Sequence, residues 1–370
     1  METFPPEGRL TAGTTRGTRL SATISDVAQR AGVSVTTVSR ALNGSGPVQE
    51  DTRLRVATAA ADLRYLPHGT ARSLITRRTD VVGVVLPDLF GEFFSEVIRG
   101  MDPRAQERGY HLLLSGSHDG KREIEFALGA MRGRVDGMIV MSPHVSGAQL
   151  AGSLPPDVPV VLLNCSVEGT GFPAVNVDNF GGARAMTRHL LGLGHRRIGM
   201  ITGASTNFDA LERLRGYRAA LSEAGDGVEG VEVAGDFAES GGYRAAQELV
   251  RLARRPSAVF CANDSMAVGA ISALHHAGLR VPDDVAFAGF DDIPISRYLT
   301  PSLSSVRVDV NRLGARAVEL LCHAIAGDAP PAQELLATEL VVRRSCGGSP
   351  EPVPPAGRSS TASPTQEPVP

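Results

Sequence analysis

Two short amphipathic stretches lie near the N-terminus, within residues 23–44. Their apolar positions recur at the spacing of one helix face. These positions are Val27, Ala28 and Ala31 in the first stretch and Val38, Ala41 and Leu42 in the second. Gly32, between the stretches, can take the left-handed conformation that ends a helix and turns the chain. The pattern predicts a helix-turn-helix, a motif that places its second helix in the major groove of DNA.

Capping residues support this interpretation. Ser25, followed by Asp26, is the predicted cap of the first helix, and Ser34 is the predicted cap of the second. A third helix is predicted over Glu50–Leu63, with Val56, Ala60 and Leu63 facing inward. An ordinary helical hairpin at the start of a globular domain is the alternative, and it is disfavoured because cap, turn glycine and core stripe all fall in register.

The second helix leaves a polar face that suits DNA. Thr36, Thr37, Ser39 and Arg40 point away from the apolar stripe. Hydroxyl groups suit phosphate contacts, and an arginine can make a two-pronged contact to guanine. Val35 is ambiguous, because its spacing fits the core whereas its place in the first turn fits contact with a thymine methyl group.

The pattern changes from Asp80 onward, where continuous apolar runs alternate with amphipathic helical stretches. The runs are Val81–Leu86, Tyr110–Leu114, Val135–Met141, Val158–Leu163, Ile198–Thr202, Ala258–Cys261 and Val285–Phe290. The helical patterns are Phe93–Arg108, Ile124–Arg132, Gly182–Leu193, Ala210–Glu223, Tyr243–Leu252, Met266–Ala277 and Arg312–Ala326. This alternation predicts an α/β core of parallel sheets covered by helices on both sides. Its length suits two sheets, with the break in the loop-like stretch Leu163–Asp178.

The domain prediction follows from these patterns. Residues 1–22 are a low-complexity leader and residues 347–370 a tail rich in proline, serine and threonine, and both are predicted to be unstructured. Residues 23–66 form the helical head, residues 67–79 the linker and residues 80–346 the two-lobed core.

Charge and cysteine content narrow the class. The 370-residue chain has a net charge of −3, yet residues 20–79 hold eight arginines and only four acidic residues. A basic head on an acidic body is typical of a small DNA-contacting domain attached to a body that does not contact DNA. The four cysteines have no paired spacing, and no apolar run reaches the length of a membrane helix. We therefore expect a cytoplasmic protein that needs no metal and no cofactor.

Four stretches of the chain together resemble the LacI/GalR family of bacterial transcriptional repressors. They are ISDVAQRAGVSVTTVSRALNG, YLPHGTARSLITRRTDVVGVVLPD, GHRRIGMITG with ERLRGYRAAL, and ANDSMAVGAISALHHAGLRVPDDVAFAGFDDIPISRYLTPSLSSVRVD. The resemblance covers about Thr23–Cys346. It implies a helix-turn-helix head, a hinge helix and a two-lobed core like that of periplasmic binding proteins. It also implies homodimers on pseudo-palindromic double-stranded operator DNA, controlled by a small ligand that is often a sugar.

The resemblance also assigns roles in DNA contact by position. It implies that Val35, Thr36 and Arg40 read bases, that Ser34, Thr37 and Ser39 bind phosphates, and that Asn43 fixes the orientation. Residues 70–75 become the hinge helix, with Ala71 and Leu74 in contact with DNA and Leu74 as a wedge in the minor groove. The entry to this hinge departs from the family pattern, since it reads His68-Gly69. We therefore predict a hinge that orders only on DNA.

Candidate ligand residues follow the predicted strands, because ligands bind at the carboxyl ends of parallel strands. They are Asp88, Phe93, Phe94, Asp178, Arg213, Asn263 and Asp291. Carboxylates and amides can bind vicinal hydroxyls, and a phenylalanine face packs on sugar C–H groups, so the set favours a neutral polyol. The alternatives are a helix cap for Asn263, a turn for Asp291 and a core position for Phe94. Many family members have an arginine where this chain has Leu211, which leaves the sugar unspecified.

Three functions compete at this point. The first is a DNA-binding repressor whose operator affinity is controlled by a ligand, and the second is a sugar-binding protein without a regulatory role. The third is an enzyme, which is disfavoured because the chain lacks a Walker loop, a dinucleotide fingerprint, metal-ligand spacing and a nucleophile elbow. The basic head favours the repressor.

Overall fold

The computed structural model describes residues 22–43, 46–65, 78–117, 120–167, 170–328 and 333–348. These residues form two compact units, and the boundary between the units lies between Thr79 and Asp80. In this description no helix is long and apolar enough to cross a membrane.

The first unit contains three short helices around a small apolar core. They are α1 (Ile24–Ala31), α2 (Val35–Asn43) and α3 (Glu50–Asp62). Val27, Val38 and Val56, one from each helix, are fully buried together. Gly32 has a φ of 65°, the left-handed conformation expected at the end of α1. The helix-turn-helix predicted from the apolar spacing is therefore present.

The cap of α1 differs from the prediction. Thr23 is the cap, and Ser25 is an exposed residue inside the first turn. The Thr23 hydroxyl accepts a hydrogen bond from the Asp26 amide at 3.3 Å, and the Asp26 carboxylate accepts one from the Thr23 amide at 2.8 Å. This reciprocal capping box satisfies two backbone donors at once, which a cap at Ser25 would not do.

The second unit begins with a six-stranded parallel sheet, lobe 1. Its strands are β1 (Val81–Leu86), β2 (His111–Gly116), β3 (Gly137–Met141), β4 (Val160–Leu163), β5 (Ala174–Val177) and β11 (Gln333–Leu336). They lie in the order β11-β5-β4-β3-β1-β2. Its helices are α4 (Glu92–Glu107), α5 (Lys121–Met131), α6 (Gly147–Ala151) and α11 (Val310–Ala326).

A second sheet forms lobe 2. Its strands are β6 (Arg197–Thr202), β7 (Glu229–Ala234), β8 (Ala258–Cys261), β9 (Ala286–Asp291), β10 (Ser304–Arg307) and β12 (Glu339–Val341). They lie in the order β12-β10-β9-β8-β6-β7, and only β12 is antiparallel to its neighbour. Its helices are α7 (Asn179–Gly192), α8 (Phe208–Ala224), α9 (Glu239–Arg251), α10 (Asp264–His276) and a 3₁₀ turn, Pro294–Arg297.

The chain crosses between the lobes three times, which the sequence did not indicate. The predicted break over residues 163–178 contains β5, a strand of lobe 1, and the chain enters lobe 2 only at α7. It returns to lobe 1 after β10 and passes back to lobe 2 after β11. Helix α11 packs on α4 so closely that a Cβ at Gly100 would clash with the backbone of Asn311.

Candidate DNA-reading helix and ligand cleft

Helix α2 exposes two of the four residues of its predicted polar face, while Thr37 and Ser39 are half-buried. Thr36 and Arg40 are exposed, whereas Val38 is fully buried. Val35 is 43% exposed, so its alternative role in the core is wrong. Contact between Val35 and a thymine methyl group stays a prediction. The second helix of the motif, which a helix-turn-helix places against DNA, therefore exposes Val35, Thr36 and Arg40.

Ser34, one of the predicted phosphate contacts, has a second role. The Ser34 Oγ accepts a hydrogen bond from the Thr37 amide at 3.1 Å, which caps α2. The hydroxyls of Ser34 and Thr37 lie 2.8 Å apart. The cap fixes the start of α2, and it orients both hydroxyls at the helix N-terminus, where the dipole favours a phosphate.

Three predicted DNA contacts fall outside the described residues. They are the side chain of Asn43, and Ala71 and Leu74 within residues 66–77. Ser39 is half-buried on α2. The predictions for the hinge helix and its folding on DNA stay as predictions.

In the core, Arg213 lies at the centre of a buried polar network. It is 3% exposed and stands on α8, next to the end of β9. Its Nε donates to the Asn179 Oδ1 at 2.8 Å, and its Nη2 lies 3.0 Å from the Asp291 Oδ1. The guanidinium carbon stacks 3.8 Å from the centre of the Phe290 ring. Two predicted ligand residues, Arg213 and Asp291, are therefore brought together as a buried ion pair.

The network continues to Asp209, which the sequence analysis did not single out. The Asn179 Nδ2 donates to the Asp209 Oδ1 at 2.9 Å. Burial raises the pKa of Asp209 to about 7, although Arg213 lowers it. Burial likewise raises the pKa of Asp291 to about 6 against the effect of Arg213. Arg213 thus pairs directly with Asp291 and acts on Asp209 only through its charge, so among the described residues the buried Asp209 is left without an ion-pair partner of its own.

Asp291 also has an unusual backbone. Its φ is 100°, and the next residue, Asp292, has a φ of 53°. Aspartate tolerates this region better than most residues, but such conformations cost free energy and are concentrated at functional sites. The turn alternative for Asp291 therefore describes its backbone, and the same turn places the Asp291 carboxylate next to Arg213.

Three other candidates accept local hydrogen bonds from backbone amides. Asn263 accepts from the Met266 amide at 2.9 Å, so the helix-cap alternative describes its geometry. Asp178 accepts from the Gly181 amide at 2.8 Å and caps α7. Asp88 is exposed and accepts from the amides of Leu89 and Phe90. Their predicted contact with a ligand is untested by this geometry.

A cavity of about 310 Å³ adjoins Asp291. Phe93 from lobe 1 and Asp291 from lobe 2 both line it, so the cavity lies between the lobes, in the region that we call the cleft. Phe94 is half-buried, packs on the core and meets Phe93 edge to face, with ring centres 5.4 Å apart. The volume suits a small ligand.

Asn164 and Ser142 carry buried polar groups that the sequence reasoning did not single out. They directly follow β4 and β3, neighbouring strands of lobe 1 in which Met141 pairs with Leu163. Both are buried, and within the described part of the chain neither the Asn164 amide group nor the Ser142 hydroxyl has a hydrogen-bond partner. Asn164 also has a φ of 44°. The sequence did offer a signal, because Asn164 directly follows the apolar run Val158–Leu163. The sequence analysis nevertheless interpreted Leu163–Asp178 only as a loop-like break.

The lobes touch on one side of the cleft. The Phe208 amide donates to the Pro143 carbonyl at 2.8 Å, and the His144 Nδ1 lies 3.0 Å from the Thr206 Oγ1. Phe208 starts α8, the helix that carries Asp209 and Arg213. Leu211 lies on the same helix and is 46% exposed, in contrast to the buried Arg213.

A head with an exposed second helix and a two-lobed core with a buried polar cleft define a DNA-binding regulator with a sensing domain. Residues 23–68 match the family described as bacterial regulatory proteins, lacI family, and residues 187–346 match the periplasmic binding protein-like domain. The ribose operon repressor of Escherichia coli K12 is 35% identical over 327 residues, which are 87% of this chain and 99% of that protein. The chain therefore belongs to the LacI family of bacterial transcriptional regulators.

Solved structures agree with this assignment. The Lac repressor dimer bound to operator and the anti-inducer ONPF has a TM-score of 0.81 and 29% identity, over 88% of this chain and 99% of that one. The complex of the transcriptional regulator CelR with cellobiose has a TM-score of 0.67 and 34% identity, over 88% of this chain and 99% of that one. The predicted fold class is thus confirmed.

Proposed function

We propose that the protein is a homodimeric repressor that binds a pseudo-palindromic operator, and that a neutral sugar or sugar derivative in its cleft controls operator affinity. The buried, unpartnered groups of Asn164 and Ser142 are the observation that carries the ligand assignment. A buried polar group without a partner costs about 1–3 kcal/mol, and ligand hydroxyls would remove that cost.

The charge of the cleft supports a neutral ligand. Arg213 already pairs with Asp291 and donates to Asn179, so its guanidinium is engaged by the protein. An anion would meet the carboxylates of Asp209 and Asp291, which disfavours it. Asn164 and Ser142 are neutral donors and acceptors, and Phe93 provides a ring in the cavity beside Asp291. Such a set suits hydroxyl groups and C–H faces.

The related proteins support the same class of ligand. One relative is a ribose operon repressor, and one structural neighbour contains cellobiose. Aspartate, asparagine and serine groups at strand ends can serve either a mono- or a disaccharide. The exposed Leu211 in place of an arginine favours a ligand with an apolar face or edge at that position.

Control of DNA would act through the lobes. A ligand that binds both lobes changes their relative position, and a dimer passes that change to its two hinge segments. Val35, Thr36 and Arg40 would read bases, while Ser34, Thr37 and Ser39 would hold phosphates. Measurement of operator affinity with and without the sugar decides whether the ligand weakens or strengthens operator binding.

A thermal-shift screen against mono- and disaccharides tests the ligand assignment. A sugar that binds only the folded state raises the melting temperature. Asn164→Gly removes the amide while its flexible backbone retains the positive φ, so we expect it to abolish the shift. The control is Ser153→Ala, which removes a half-buried hydroxyl that donates to the Glu125 Oε1. An unchanged shift in Asn164→Gly would remove Asn164 from the site.

Operator binding separates the repressor from a sugar-binding protein without a regulatory role. We expect selection from random DNA to recover a pseudo-palindrome, and the molar mass of the complex to indicate two chains per site. Recovery of no preferred sequence would favour the second function. The sugar should be recovered unchanged after incubation, as expected for a regulator and not for an enzyme.

A further inference from the structure

A single buried carboxylate, that of Asp264, connects three parts of the loop that follows Asp291. Its Oδ2 accepts from the Ser296 hydroxyl at 2.6 Å and from the Ile293 amide at 3.0 Å. Its Oδ1 accepts from the Ser305 hydroxyl at 2.7 Å. The Ser305 Oγ in turn accepts from the Asp292 amide at 3.1 Å. The loop is thereby held at residues 292, 293 and 296.

Asp264 occupies a tight, buried position that is unfavourable for a charged group. Asp264 is fully buried, and a Cβ at Gly289 on the neighbouring strand β9 would clash with its Oδ1. Burial, followed by the nearby charge of Asp291, raises the pKa of Asp264 to about 8. A buried acid beside two other acids is expensive, so its three accepted hydrogen bonds indicate a specific role for it.

The loop that Asp264 holds contributes to both sides of the cleft. It begins at Asp291 and Asp292, whose positive φ values of 100° and 53° need outside support. It also reaches lobe 1, because the Ile295 amide donates to the Glu92 Oε2 at 3.0 Å. Release of this loop would let Asp291 turn away from Arg213 and would break a contact between the lobes.

We propose that Asp264, acting through Ser296 and Ser305, is a positioning residue that holds Asp291 in the conformation that binds ligand. The proposal rests on the ligand cleft of the proposed function, and it gives Asp264 no contact with the ligand. It predicts that ligand affinity depends on a hydroxyl at Ser305, which lies outside the cavity lining. Operator affinity of the protein without ligand does not depend on it.

Two adjacent buried serines provide the matched test. Ser305→Ala removes the hydroxyl that joins Asp264 to the Asp292 amide. Ser304→Ala removes an equally buried hydroxyl that instead accepts from the Arg343 amide and contacts Cys346. Both variants lose a buried hydrogen bond, so a general loss of stability affects them alike. Asp264→Asn is the direct variant, and the serine pair keeps the test valid if that variant does not fold.

Hydrogen exchange of the full-length protein without ligand gives the first readout. We expect the segment that contains residues 291–296 to exchange about 10-fold faster in Ser305→Ala than in wild type, and at the wild-type rate in Ser304→Ala. Equal exchange in both variants would overturn the proposal. This readout is independent of sugar binding, so it stands even if the proposed function fails.

Binding of D-ribose and cellobiose, measured by calorimetry, gives the second readout. For whichever sugar binds wild type, we expect Kd to rise about 10-fold in Ser305→Ala, to stay unchanged in Ser304→Ala and to recover in Ser305→Thr, which retains the hydroxyl. An equal loss in the two alanine variants, or a parallel loss of operator affinity, would contradict positioning. If neither sugar binds wild type, the exchange experiment alone decides the role of Asp264.

Discussion

The two functional regions differ in how they hold their polar groups. Helix α2 displays Thr36 and Arg40 to solvent before any DNA arrives. The cleft instead buries Asp209, Arg213 and Asp291 and connects them to one another. A phosphate-rich partner is drawn to an exposed basic surface, whereas a small neutral ligand needs a prearranged, desolvated site. The head thus exposes its polar groups in advance, whereas the cleft keeps its polar groups buried and paired with one another.

The largest expected effect is in the cleft. Asp291→Ala leaves the buried Arg213 without its partner, and breaking such a pair costs about 3–5 kcal/mol. We expect a large drop in melting temperature and loss of the sugar-induced shift. Operator affinity without sugar should persist below the melting point. The exposed Asp283→Ala is the control, and a normal sugar response in Asp291→Ala would remove this carboxylate from the site.

The next effect is in the head. Arg40→Ala should cost about 1–3 kcal/mol at one base position of the operator and little on random DNA, because a two-pronged guanine contact is specific. Fluorescence anisotropy with operators substituted one base at a time measures it. Arg30→Ala is the control, since Arg30 lies on α1 and pairs with Asp62. An equal loss on all sequences would show that Arg40 contacts only the backbone.

A smaller effect concerns pH. The pKa of Asp209 is raised to about 7 in the folded protein, above its value of about 3.9 when unfolded. Its proton therefore stabilises the fold fully below pH ~4, and this contribution is lost as the pH rises through ~7. We expect Asp209→Asn to flatten the fall in melting temperature between pH 5 and 8, by roughly 2–4 °C per kcal/mol. Parallel curves for the two proteins would contradict this assignment.

The smallest effect separates the observed cap of α1 from the predicted one. Thr23→Ala removes the capping box and should cost about 1 kcal/mol of head stability. Ser25→Ala should cost less, because Ser25 is exposed within the helix. Hydrogen exchange of the α1 amides measures both, and a larger effect at Ser25 would contradict the capping box.

The difference between the regions also explains what the sequence could predict. The head depends on neighbours three or four positions apart, so Val27, Val38, Gly32 and the exposed Arg40 were all readable from spacing. The bounds of the strands Val81–Leu86 and Ala258–Cys261 were predicted exactly, because these strands are apolar on both faces. The strand Glu229–Ala234 lies at a sheet edge, alternates with charged residues and was missed.

The cleft was predicted only in part, since its geometry depends on contacts distant in the sequence. Asp291 and Arg213 were predicted separately, but no local pattern indicates that Arg213 on α8 pairs directly with Asp291 on β9 and also donates to Asn179 on α7. In the sequence, Asp209 is an acidic residue in the first turn of a helix, which is a common position for an aspartate. Asn164 lies in a stretch that the sequence predicts to be loop, and its buried, unpartnered amide becomes visible only in the structure.

The central claim is that the cleft and the DNA-reading helix are coupled in one protein. The direct test is operator affinity of the full-length wild-type protein, measured by anisotropy with and without a saturating sugar from the screen. We predict a change of about 5- to 150-fold, with an equal change in sugar affinity when operator is bound. Identical operator affinity at zero and saturating sugar would contradict the account.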